Sequence, residues 1–225
     1  SAGQTDGSMM DISAKMNEAS FGIIQRTPSS GEEDSGTLIP NTFRGTDVQL
    51  ISLGGNRIMA VSLKDNGAND SSYNYLSAVT SISEDGGKTW GNLTRVSDSD
   101  LLQFHAKAHI VGDRILLSWS EGNMDDVLKK NEADKAQLRA TEVGKALNAF
   151  DLKGRFFNMD GTPAGETFDI VSDASVSASI LGAVEKDGKV YVYYQRCKYP
   201  EVDDTKTSDL LDQDRTLSYA AMNPE

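Results

Sequence analysis

The residues whose types and spacing could do chemistry are few. The acidic loop Asp65-Asn66-Gly67-Ala68-Asn69-Asp70 offers carboxylate and amide oxygens, the hard donors that calcium takes. It lacks the spacing and the terminal glutamate of an EF-hand loop, so calcium is the only cofactor it suggests, and by an incomplete motif. His105 and His109 stand four apart, which on a helix would make half a metal site. The surrounding pattern is that of a strand, where this spacing only sets both rings on one face. No Cys/His cluster supports them, so no zinc site is expected. Cys197 is the single cysteine, which excludes an intrachain disulfide and reads as an inert thiol rather than a nucleophile.

A second group has a structural chemistry. Ser83-Glu84-Asp85-Gly86-Gly87-Lys88-Thr89-Trp90 reads S-x-D-x-G-x-T-W. The Asp85 carboxylate can accept hydrogen bonds from the backbone of its own turn. Gly87 can take a positive φ, and Trp90 can anchor the exit of the turn. Strand-like sequence from Tyr75 to Ile82 precedes it, and Leu93 and Val96 follow, so the stretch is expected to be a hairpin.

The elements that would carry these residues repeat a plan. Thr46–Leu53, a turn at Gly54-Gly55-Asn56 and Arg57–Leu63 open a first unit, with a third strand leading into Ser83 and a fourth near Asn92–Val96. Phe104–Val111, the turn Gly112-Asp113 and Arg114–Ser120 open a second, and Ala178–Glu185, Lys186-Asp187-Gly188 and Lys189–Gln195 a third. In unit two, Asp125 or Asp126 is expected to cap a helix through Val127, Leu128, Ala133, Ala136 and Leu138. A third strand is expected from Lys145 to Phe157, then a turn at Asn158–Gly165 and a strand at Glu166–Val171. Unit three ends on Thr216–Met222, with no fourth strand before Glu225. The long segments Lys64–Ser72, Glu121–Glu142 and Arg196–Arg215 all follow second strands and read as long surface loops, the kind that form binding or docking surfaces.

Composition narrows the partners. A formal net charge of −12 leaves no basic excess for phosphates, which argues against nucleic acid and anionic membranes. No apolar run is long enough to insert into a membrane, and residues 1–20 lack the pattern of a signal peptide. Residues 1–40 read as a segment with one strand, Ala19–Arg26, able to close a ring, followed by a loop from Thr27 to Thr37.

The Ser83–Trp90 stretch resembles the Asp-box, or BNR repeat, of sialidase-like β-propellers at Ser83, Asp85, Gly87, Thr89 and Trp90. The resemblance implies an all-β fold, with about three four-stranded blades of a roughly six-bladed propeller across residues 41–225, interrupted by the helical insertion read above from the sequence near residues 124–142. A complete small β-sandwich is the alternative. The remaining blades would come from a second polypeptide or a C-terminal continuation. The resemblance further implies an extracellular or bacterial-surface protein that binds glycan or protein through its loop-rich rim. If the whole ring is a hydrolase, Arg44 falls where that family's first carboxylate-binding arginine stands, in Phe43-Arg44-Gly45 rather than aromatic-Arg-Ile-Pro. Asp70 is then the acid/base candidate, with Asp65 second. The family's nucleophilic tyrosine and other triad arginines match nothing here. A propeller serving only as a scaffold is the third reading.

Overall fold

In a computed structural model of the chain, the described residues are 21–23, 37–39, 48–68, 72–126, 128, 140–200 and 214–223. They form antiparallel meanders set side by side. Blade 1 is β3 (Gln49–Gly54), β4 (Arg57–Asp65), β5 (Leu76–Ser83) and β6 (Thr94–Arg95), hydrogen-bonded in that order. Blade 2 is β7 (Leu102–Val111), β8 (Arg114–Gly122), β9 (Asp151–Asn158) and β10 (Phe168–Val171). Blade 3 holds β11 (Ser179–Lys186), β12 (Lys189–Lys198) and β13 (Asp214–Met222). This is the all-β, bladed architecture expected from the repeat. No helix among the described residues is long and apolar enough to cross a membrane.

The first two strands of each blade are joined by the expected tight turns, and their alternation explains the core. In β8, Ile115, Leu117 and Trp119 pack with Met59, Val61 and Leu63 of β4 between blades 1 and 2. The intervening Leu116 packs with Val190, Val192 and Tyr194 of β12 between blades 2 and 3. A period of two thus serves both faces of one sheet.

The Ser83–Trp90 turn closes as its residue types require. Ser83 Oγ donates to Asp85 Oδ1 at 2.8 Å and accepts from Gly87 N at 2.8 Å. Thr89 N donates to Asp85 Oδ1 at 2.8 Å and Thr89 Oγ1 to Asp85 Oδ2 at 2.6 Å. The Thr89 hydroxyl first, then its backbone N–H, lowers the Asp85 carboxyl to about 2. Gly87 takes φ +90. Trp90 is only half-buried, its Nε1 is out of solvent with no hydrogen-bond partner among the described residues, and it lies outside both core clusters. It anchors less than its size suggests. At the corresponding turn of blade 2, Thr162 N and Oγ1 donate to Asp160 Oδ1 at 2.8 and 2.6 Å, so an Asp–Thr pair two residues apart replaces one four apart. Arg57 ties the two turns, donating to Glu84 Oε2 at 2.9 Å and to the Met159 and Asp160 carbonyls at 3.1 and 3.0 Å.

Several expectations need correction. Residues 145–148, assigned above to a strand, belong to helix α1 (Ala140–Asn148), and β9 starts at Asp151. Asp125, Asp126 and Leu128 are helical, while Val127, Ala133, Ala136 and Leu138 lie outside the described residues. The turn opens at Met124, whose carbonyl accepts from Leu128 N at 3.0 Å, with Asn123 Oδ1 accepting from Asp125 N at 3.0 Å, so neither aspartate is the cap. The fourth strands are shorter than expected, at Thr94–Arg95 and Phe168–Val171. Of the N-terminal segment, β1 (Phe21–Ile23) pairs with β2 (Thr37–Ile39), a strand the loop-like composition had hidden. The strict alternation invoked for the histidines fails, because a bulge between Phe104 and Lys107 puts His105 at φ +52.

Helix α1 returns to blade 2 through Phe150, fully buried. Its ring lies flat on Gly122, and a Cβ there would overlap ring carbons. Gly122→Ala should therefore cost about 1–3 kcal/mol by displacing that ring. Urea denaturation checks this: the midpoint should fall, and Phe150→Leu in the Gly122→Ala background should recover part of the loss. An unchanged midpoint for Gly122→Ala would contradict the packing.

Candidate functional site

The links after β4, β6, β8, β10 and β12 emerge at one end of the sheets, opposite the Ser83–Trp90 turn, because each blade is an up-and-down meander. Between blades 1 and 2 this end opens into a cleft of about 540 Å³. It is lined by Asn66, Ser72 and Asn74 from the β4–β5 loop, Asp100 and Leu101 from the β6–β7 link, and Asp125 from the β8–β9 insertion. Carboxylates, amides and a hydroxyl converge there from separate links.

Most of these groups are fixed by one another. Asp125 reaches across from blade 2, accepting from Ser72 Oγ at 3.0 Å and from Tyr73 N at 2.5 Å. Asn74, buried, accepts from Met124 N at 3.0 Å and donates to Asn123 Oδ1 at 3.0 Å. Asn66 donates to the Asn74 carbonyl at 2.9 Å and accepts from Ala68 N at 2.9 Å. Asp100 is the freer carboxylate: its side chain is 95% exposed, with Arg95 Nη2 at 3.6 Å.

A buried polar layer lies between the same two blades. Gln103, fully buried, accepts from Ala78 N at 2.7 Å and donates to Ser97 Oγ at 2.8 Å and Glu121 Oε2 at 2.7 Å. Glu121 also accepts from Trp119 Nε1 at 3.0 Å. Gln49 repeats the device, bonding both the N–H and the carbonyl of Ala108 at 2.7 and 2.8 Å. A smaller cavity of about 290 Å³ lies between α1 and the end of β12, lined among others by Lys145, Asn148, Asp173 and Lys198.

Of the residues singled out from sequence, Arg44 and Asp70 lie outside the described residues. Asp65 ends β4, is exposed, and accepts from Gly67 N at 2.8 Å, shaping the loop whose next residues line the cleft. Among the described residues no three His, Cys, Asp or Glu side chains are grouped to hold a metal. His109 is half-buried; burial lowers its pKa, against a hydrogen bond with the Leu181 backbone. Cys197 is half-buried and bound through its backbone, its N–H donating to Ser177 Oγ at 2.6 Å. The sequence reading named Asn66 only as a possible calcium donor and Ser72 only as the end of a loop, missed Asn74 and Asp100, and took Asp125 for a cap. The available signal was that each falls in a link leaving the same end of a meander.

With this geometry in view, the comparisons are informative about fold. Neither a protein-family model nor a curated protein matches the chain. Among solved structures it is similar to the GH93 α-L-arabinofuranosidase of Fusarium graminearum in complex with arabinobiose, with TM-score 0.50 and 12% identity, over 91% of this chain and 55% of that one. It also matches a thermostable family-43 glycoside hydrolase, with TM-score 0.47 and 10% identity, over 91% of this chain and 61% of that one. The NanB sialidase of Streptococcus pneumoniae gives TM-score 0.44 and 12% identity, over 92% of this chain and 28% of that one. The chain thus spans less than two thirds of each of these proteins. It has the β-propeller fold, of the kind found in glycoside hydrolases.

Asn74 is the residue on which the blade 1 side of the cleft depends. Asn74→Ala removes the acceptor of the Met124 N–H at a buried site, an expected loss of about 1–3 kcal/mol. Denaturant melts and amide exchange at residues 123–125 check it. Wild-type exchange at Met124 in the variant would show that the bond holds nothing in place.

Proposed function

We propose that this chain is a portion of a larger surface or secreted β-propeller protein that binds glycan through its loop-bearing end. The observation that carries the reading is the cleft between blades 1 and 2, where Asn66, Ser72, Asp100 and Asp125 offer carboxylate, amide and hydroxyl groups. Sugar hydroxyls pair with such groups, and the rigid hydrogen bonding of the loops keeps the ordering cost of binding low. In this reading the Ser83–Trp90 turn is an Asp-box, a staple of blade 1 remote from the cleft. Proteins of the same fold named for arabinose-containing and sialylated substrates make glycan a better proposal than a protein ligand or a pure scaffold.

A panel of glycans is titrated against the full protein and against Asp100→Ala. Because Asp100 is so exposed, its loss should leave folding untouched and weaken the bound glycan by about fivefold or more. Equal affinity for the two proteins, or no glycan bound at all, would sink the proposal.

The hydrolase reading extends it: Arg44 would grip a substrate carboxylate and Asp70, or Asp65, would act as acid/base. It is supported by the position of Asp65 at the entry to the loop that lines the cleft. Arg44→Ala in the complete protein should then abolish turnover of a carboxylated glycoside. Undiminished turnover would remove Arg44 from that role.

A further inference from the structure

The three blades can be compared position by position, because Arg57, Arg114 and Lys189 open their second strands alike. On the face that each blade turns toward the next, Val61 of blade 1 and Ser118 of blade 2 are 0% and 1% exposed, whereas Tyr193 of blade 3 is 44% exposed. Across the ladder from them stand Thr80, Gly154 and Tyr219. Thr80 is 5% exposed and Gly154 is buried, yet Tyr219 is 66% exposed. Two residues further along come Ala78 and Leu152, 1% and 0% exposed, and Leu217, 70% exposed. Val184 of β11, opposite Tyr191 in the ladder, lies on the same face and is 50% exposed. The opposite face of blade 3 is closed by blade 2 through Ile180, Val190, Val192 and Tyr194.

A sheet face on which Tyr193, Tyr219, Leu217 and Val184 are all exposed is a cluster of apolar side chains of the kind that marks an interaction site. Blades 1 and 2 show what covers this position: the first strands of the following antiparallel blade. The third strand also differs. β5 and β9 each pair with a further strand, β6 and β10, while β13 has β12 alone as its partner among the described residues. An edge of nine residues with no partner among the described residues is a pairing site for another strand.

We infer that the face formed by Tyr193, Leu217 and Tyr219, together with the outer edge of β13, is an interface for a fourth blade of the same protein. That blade's first strands lie over the two tyrosines, and one further strand pairs with β13. Its facing residues are small and aliphatic, because Tyr193 and Tyr219 stand where Val61/Ser118 and Thr80/Gly154 stand in the earlier seams and already fill more of the gap. The F. graminearum arabinofuranosidase of this fold is long enough to carry such blades, since the present chain spans only 55% of it. This inference does not depend on what the cleft binds.

The test uses the longest native polypeptide that contains this chain. Its accessible tyrosines are nitrated with tetranitromethane and its amide exchange is followed. The expected result is that Tyr193 and Tyr219 resist nitration, that β13 amides exchange about 100-fold or more slowly than those of unpaired strand edges, and that Tyr219→Asp restores nitration of Tyr193. Ready nitration of both tyrosines in the native monomer overturns the inference. So does a native polypeptide that sediments as a dimer which Tyr219→Asp splits into folded monomers, for then a second copy is the cover. Tyr219→Phe serves as the control: it keeps the packing and should leave β13 protection as in the wild type.

Discussion

A four-stranded meander with aliphatic side chains on both faces cannot stand alone in water, and this constraint shapes the molecule. Blade 2 satisfies it on both sides. Ile115, Leu117 and Trp119 go to one seam, and Leu116, Leu152 and Phe156 to the other. Twist prevents neighbouring blades from lying flat on each other along their whole length, so side chains must fill a wedge. The filling is uneven. Trp119 and Phe150 occupy the seam of blades 1 and 2, while smaller residues such as Ala174 and Ala178 help close the seam of blades 2 and 3.

Packing brings blades together but does not satisfy backbone groups that meet without a common ladder. Gln49 and Gln103 do that, each presenting a donor and an acceptor on one short, planar group. They lie on β3 and β7, the first strands of successive blades. The polar layer between the blades and the polar cleft at their end therefore have a common origin. Where two meanders meet, regular pairing stops, and side chains must take over its hydrogen bonds.

Much of the fold was legible because it rests on local rules. Alternation located the first two strands of every blade, and Gly- or Asp-containing turns separated them. The Ser83–Trp90 turn could be read because its bonds run between residues no more than four apart. What was not legible depends on distant partners. Residues 145–148 look as much like strand as helix until Asn148 is seen bonding the Tyr199 backbone and Val176 the Leu147 carbonyl. Asp125 carries every sign of a helix cap, yet its oxygens are taken by Ser72 and Tyr73 on another blade. The His105–His109 spacing misleads because a bulge leaves no trace in a hydrophobic pattern. The cleft residues share no motif; only the topology of the meanders makes neighbours of Asn66, Asp100 and Asp125.

The double role of Gln103 also bears on how the protein ages. Its amide nitrogen faces Glu121 Oε2 at 2.7 Å. Hydrolysis of that amide would convert the donor into a carboxylate, leaving two acid groups face to face in a dry seam. Such a pair survives only by holding one proton between them. A single deamidation would thus make the integrity of the seam depend on a proton shared between two acids, where a neutral amide now donates to one. Full burial of Gln103 keeps water from the amide, so the close packing of blades 1 and 2 also protects the covalent chemistry that holds them in register.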